Sequence, residues 1–158
     1  YGGGWRALGL RRAKLWTALA LMALAVAVTI GVNVLWDLLR ERLGWPGQAD
    51  LSQFFGDGLG SLLLAVLMGG VLAPLAGEGF FRGYIYAGLR ARWGMRWGLV
   101  ASSLLFAVVH LSPATMPPLF VMGLLLAYVY ERSDSLWPSI ILHMLSNTAA
   151  FISMYAAA

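Results

Sequence analysis

The sequence predicts an all-α fold: a polytopic membrane helix bundle of about five transmembrane helices with a buried polar site. Three observations predict it. Of 158 residues, 60% are hydrophobic and only 11% are charged, whereas a soluble domain carries about 25% charged residues. The apolar residues gather into five runs, near the roughly 20 residues that a helix needs to cross a bilayer core. Into these runs are set three polar stretches, residues 78–82, 106–110 and 143–147, and both histidines of the chain lie in them. An ionisable group inside a spanning segment is costly and marks function by default.

The first run covers residues 15–36. The second starts at 59 and either stops at 76 or continues to 89. The third covers 97–111, the fourth 118–130, which is short, and the fifth 136–155. Backbone groups in lipid must be satisfied internally, which leaves helices as the form of each run. Residues 40–58 are polar and hold Pro46, Gly47, Gln48 and Asp50, fitting a loop or an interfacial helix. Trp97 and Trp137 are expected at membrane interfaces. No repeat or second domain is visible, so residues 1–158 form a single membrane domain. Residue 1 is Tyr, which predicts a trimmed or partial chain. No signal peptide with a small-residue cleavage site is recognised, and the first run is expected to be retained.

Charge sets orientation. Arg6, Arg11, Arg12 and Lys14 precede the first run, and Arg90, Arg92 and Arg96 precede the third. Arg40 and Arg42 are opposed by Asp37, Glu41, Asp50 and Asp57. The positive-inside rule places the N-terminus in the cytosol. The net charge of +4 is explained by topology and anionic lipid, and no nucleic-acid partner is expected. The absence of cysteine excludes disulfides and Cys-ligated metals.

Depth tests whether the polar stretches meet. At 1.5 Å per helical residue, Glu78 lies about 18 Å from Arg90, His110 about 21 Å from Arg96, and His143 and Asn147 about 14 and 20 Å from Asp134. All four fall near mid-membrane if the second run continues to residue 89, bent at Pro74.

Glu78 and Arg82 share a helix face at i,i+4, as do His143 and Asn147. Each pair has a structural alternative. Glu78–Arg82 can be a self-neutralising ion pair, His143 and Asn147 can join helices by hydrogen bonds, and His110 can cap the end of a span. Together they have a chemical shape. A carboxylate beside an imidazole can activate water as a general base. A second imidazole and an amide can stabilise an oxyanion. No Ser-His-Asp set can be assembled from Ser102, Ser103 or Ser146, and no HExxH zinc signature is present. No cofactor is expected. A metal is disfavoured, although Glu78, His110 and His143 are types that can bind one across helices.

The three stretches resemble the motifs of the CPBP (CAAX protease and bacteriocin-processing, or Abi) family of intramembrane endopeptidases, which includes the type II CAAX prenyl endopeptidases. The EExxxR motif corresponds to Gly77-Glu78-Gly79-Phe80-Phe81-Arg82, FxxxH to Phe106 through His110, and HxxxN to His143 through Asn147. Order and spacing agree over residues 72–151. The resemblance implies an endopeptidase of the cell membrane, prokaryotic in source, with its site open to the cytosol and a peptide or protein substrate met at the bilayer. In that picture Glu78 and His110 activate water, His143 and Asn147 form the oxyanion site, and Arg82 orients the carboxylate. Bacteriocin maturation, self-immunity and membrane-protein turnover are the roles implied, and a prenylated substrate is not.

One position departs from the pattern: Gly77 stands where the family keeps the first of two glutamates. Three explanations stay open. Glu78 serves through a water or a local backbone adjustment, the chain is a catalytically inert binder of a peptide or immunity partner, or the residue is altered in this chain. A small transporter or proton relay using Glu78, His110 and His143 is a further reading.

Overall fold

A computed structural model describes residues 9–47 and 52–157. Arg6, Gln48 and Asp50, used in the charge and loop readings, lie outside them. The fold is all-α. Helix α1 spans Leu15–Arg42, a short α2 spans Ser52–Phe55, a helical run α3 spans Gly58–Val108, α4 spans Met116–Ser133 and α5 spans Leu136–Ala157.

Among the described residues three helices are long and apolar enough to cross a membrane, α1, α3 and α5. The expectation of five is corrected. The second and third predicted runs are one helical stretch of 51 residues. The fourth, α4, has 18 residues that include two prolines at its start and Glu131 and Arg132 at its end, which leave it too polar on average.

The α3 run turns back on itself at Gly94, whose φ of 78° and ψ of 172° are non-helical. A side chain disfavours such a φ, and glycine adopts it freely. The two arms then pack closely. A Cβ placed on Gly98 would lie 3.0 Å from the Arg90 backbone, and the Phe81 and Phe106 rings meet edge-to-face at 5.3 Å. The first arm is helical through residue 76 and beyond, as the depth argument required. Two π-helical stretches, Val66–Leu72 and Gly79–Tyr86, are set into it. The first ends just before Pro74. Proline lacks an N–H and its ring clashes with the carbonyl four residues earlier, so the interruption expected there is taken up by a widened turn.

Prolines at the start of α4 suit a helix N-terminus, where the missing N–H has no partner to lose. The helix ends at Asp134 in a left-handed conformation with φ of 59°, which Asp tolerates. The core joins Ala25 of α1, Phe81 and Phe106 of the two α3 arms, Met122, Leu126 and Val129 of α4, and Leu142 of α5. Large apolar side chains such as Trp16, Leu24, Ile30, Leu63 and Leu145 stay exposed, as they do on helices solvated by lipid.

Candidate active site

The polar centre forms where the first α3 arm meets α4 and α5. Glu78 Oε1 accepts a hydrogen bond from Arg82 Nη1 at 2.7 Å and lies 2.8 Å from His143 Nδ1. Relative exposure is 0% for Glu78, 1% for Arg82 and 6% for His143. The second guanidinium nitrogen, Arg82 Nη2, donates to the Gly123 carbonyl at 2.9 Å. The guanidinium carbon lies 4.5 Å from the Phe106 ring centroid, a cation–π contact. Gly123 permits this approach: a Cβ there would lie 2.9 Å from Ser103 Cβ and 3.0 Å from Ser103 Cα.

The histidine tautomers follow from their partners. His110 Nδ1 lies 2.7 Å from the Phe106 carbonyl oxygen. A carbonyl only accepts, so Nδ1 carries the proton and the neutral ring leaves Nε2 unprotonated. His143 Nδ1 faces a carboxylate. With Glu78 ionised, that nitrogen also carries a proton.

Asn147 Nδ2 donates to the Gly69 carbonyl at 2.9 Å, inside the first π stretch. An amide nitrogen has two hydrogens, and one remains for another acceptor. Gly69 and Gly70 let α5 sit this close. Cβ atoms there would lie 2.5 Å from the Phe151 ring and 2.8 Å from Thr148 Oγ1.

His110, His143 and Asn147 line one cavity of about 280 Å³. Glu78 is not among its lining residues, being covered by His143 and Arg82. The predicted residues are thus divided. Three meet on the cavity wall, and the Glu78–Arg82 pair lies behind His143. Among the described residues no three His, Cys, Asp or Glu side chains gather in a group that could hold a metal ion.

Sequence reasoning passed over several contributors. Phe106 stands in the sequence only as the first residue of the FxxxH motif, yet its ring lies 4.8 Å from that of His110 and 5.4 Å from that of His143 between centroids. Thr29 and Asn33 of α1 also line the cavity. Their signal was present as two polar residues four apart inside the first apolar run.

Comparison with known proteins gives a family match for this chain. Residues 59–149, more than half of the chain, match the family described as type II CAAX prenyl endopeptidase Rce1-like. An uncharacterized 24.3 kDa protein of Escherichia coli is 31% identical over 121 residues, covering 73% of this chain and 56% of that protein. A Bacillus subtilis (strain 168) protein named "Putative membrane peptidase YdiL" is 24% identical over 140 residues, covering 78% of this chain and 57% of that protein. The chain therefore spans somewhat over half the length of these relatives. No solved structure matches.

Proposed function

We propose, from the premise that the chain belongs to the Rce1-like family of type II CAAX prenyl endopeptidases, that it hydrolyses a peptide bond inside the membrane with His110, His143 and Asn147 as the groups that touch substrate. The observation that carries this reading is the arrangement of the two imidazoles. His110 lines the cavity with Nδ1 on the Phe106 carbonyl, which leaves Nε2 unprotonated, while His143 is held by Nδ1 on a buried carboxylate.

His110 Nε2 takes a proton from water as the water oxygen attacks the peptide carbonyl carbon. The carbonyl oxygen becomes an oxyanion. It accepts hydrogen bonds from Asn147 Nδ2 and from His143 Nε2. His143 donates from Nε2 while keeping its Nδ1–H bond to Glu78 when both ring nitrogens carry a proton. The carbon–nitrogen bond then breaks, and His110 returns its proton to the leaving amine. In this scheme Glu78 is a positioning residue: it orients His143 through Nδ1. Arg82 and Phe106 hold Glu78 and the rings in place. The bilayer position follows from the apolar helices, with a cell membrane as the site of action and the basic chain end in the cytosol.

Reconstitution in proteoliposomes with a fluorogenic peptide library tests this. Asn147→Ala is expected to lower turnover by about 10²–10³, the usual loss for one oxyanion donor, and His110→Gln by about 10²–10⁴. Turnover that survives both changes ends the proposal. A second reading is favoured by one observation: at Gly77, in place of the family's first glutamate, nothing lies within 4 Å of an added Cβ. The carboxylate is missing and no other group fills its place, as in an inert member that binds a peptide or immunity partner. Saturable peptide binding without hydrolysis would select that reading.

A further inference from the structure

We infer that Asn33 of α1 binds the main chain of the substrate, so that the cavity takes an extended, non-helical peptide stretch without formal charge. The peptide nature of the occupant rests on the peptidase reading above.

Asn33 lies outside the residues 59–149 that match the family. Between Leu15 and Trp36, α1 carries no Lys, Arg, Asp or Glu, and Asn33 is its one carboxamide. This helix is long and apolar enough to span a membrane, where a polar amide is costly unless it finds partners. The side chain is half-buried and lines the cavity together with His110, His143 and Asn147.

Its bonding capacity is only partly used. Nδ2 donates to the Thr29 carbonyl, one turn earlier, at 2.9 Å. A carbonyl only accepts, so this contact fixes which end of the amide is nitrogen. One N–H and the oxygen Oδ1 have no further bond among the described residues. The Thr29 hydroxyl lies 3.7 Å from Met122 Sδ, which ties the same turn of α1 to α4 at the cavity wall. Asn33 is thus held from its own helix and left with one donor and one acceptor.

A donor and an acceptor on one flat group match what a peptide unit offers. A helical peptide has no use for them, because its N–H and C=O groups are bonded within the helix. A carbonyl that is attacked by water and bonded to oxyanion donors has left that ladder, and its neighbours have lost their bonds too. In apolar surroundings each freed group needs a new partner. Asn33 supplies one for a peptide N–H through Oδ1 and one for a peptide carbonyl through its free N–H, as extended peptides are held elsewhere by main-chain bonds. The rest of the wall suits uncharged side chains. It holds Leu119, Met122, Phe151 and Met154 and no Lys, Arg, Asp or Glu, so a charge placed there would lose water without gaining an opposite charge.

The test compares native protein with Asn33→Ala in nanodiscs. The probes are a dye-labelled, end-capped Ala-Leu peptide and the same peptide with one backbone amide methylated at a time. Asn33→Ala is expected to weaken binding about tenfold, the scale of one or two hydrogen bonds. In the native chain, methylation at one position is expected to weaken binding by a similar factor. In Asn33→Ala the same methylation has little further effect, because both changes remove one bond. A merely structural role for Asn33 would give no such coupling. Asn33→Leu, close to asparagine in shape, repeats the readout should Asn33→Ala not accumulate. Equal affinity of native and variant protein, methylation effects that add in full, or native binding no stronger than that of empty nanodiscs overturns the inference. Cleavage is read separately. Where peptide is cleaved, the loss in Asn33→Ala falls on KM more than on kcat, the reverse of Asn147→Ala. Peptide that is bound, coupled to Asn33 and never cleaved ends the peptidase reading alone. Peptide that is cleaved, with affinity and KM untouched by Asn33→Ala, ends the Asn33 assignment alone.

Discussion

Glu78 Oε1 is shared: it lies 2.8 Å from His143 Nδ1 and 2.7 Å from Arg82 Nη1, with all three side chains buried. A cation and an imidazole thus converge on one carboxylate oxygen. The other oxygen, Oε2, is buried without a hydrogen-bond partner among the described residues, and the carboxylate does not line the cavity. Removing one partner of a buried pair leaves the other charge uncompensated and costs about 3–5 kcal/mol. Glu78→Gln is therefore expected to lower thermal stability in lipid nanodiscs by that order, so activity loss in this variant reports stability as well as chemistry. Glu78→Gln combined with Arg82→Met removes the orphaned charge and is expected to recover much of the stability. A double variant no more stable than the single one would show that charge pairing is not what holds these residues.

Gly123 offers a packing test of the same centre. Its carbonyl receives Arg82 only because the helix can approach Ser103 closely. The contact is with Ser103 Cβ and backbone Cα, which cannot swing away as a side-chain tip can. Gly123→Ala is expected to destabilise by about 1–3 kcal/mol, the usual range for overpacking. Gly77→Ala, where nothing lies within 4 Å of the new Cβ, is expected to be neutral or stabilising by up to about 1 kcal/mol, since alanine is the better helix former. Equal effects of the two changes on the unfolding midpoint would contradict this account.

Local spacing made part of the site legible. Glu78 and Arg82 at i,i+4 pair as the spacing required, and the polar stretches do approach one another. What escaped the sequence depends on contacts far apart in the chain. The Asn147 amide finds its partner in the Gly69 carbonyl, within a π stretch that no composition rule announces. Phe106 earns its role only once the chain has turned back at Gly94 to bring both histidines and Arg82 around its ring. The count of spans failed for a related reason. Hydropathy finds apolar runs, but it does not reveal that two of them belong to one helical stretch, or that Pro117, Pro118, Glu131 and Arg132 leave α4 too polar.

The basic end gives a pH prediction. Burial raises the Glu131 carboxyl, but hydrogen bonds from Arg90 and Tyr86 and the charges of Arg90 and Arg132 outweigh it and hold it below its ordinary value of 4.5. A carboxylate depressed in the folded state contributes stability above its unfolded value, and that contribution is lost as pH falls through the folded one. Relative to Glu131→Gln, the native chain is expected to be more stable near pH 7. That advantage should shrink progressively below about pH 4.5, where protonation begins to make the two alike. Unfolding midpoints in nanodiscs across this range are the measurement, and a pH-independent difference would contradict the assignment.

Gly77 decides how much chemistry the site is missing. Neighbouring helical residues point about 100° apart, so a carboxylate at 77 cannot occupy the place that Glu78 has on Arg82 and His143. The space at 77 is open, so Gly77→Glu is expected to fold without displacing a neighbour. If a second carboxylate near His110 assists proton removal from water, turnover of the fluorogenic peptides rises by up to about 10²–10⁴, the range of general-base catalysis. The same change on a His110→Gln background should then give little, because the two groups would act on one proton. A gain that persists without His110 would place the base at position 77 instead. No gain in either background would leave His110 as the sole base of an active enzyme, or mark an inert one if peptide is bound but never cleaved.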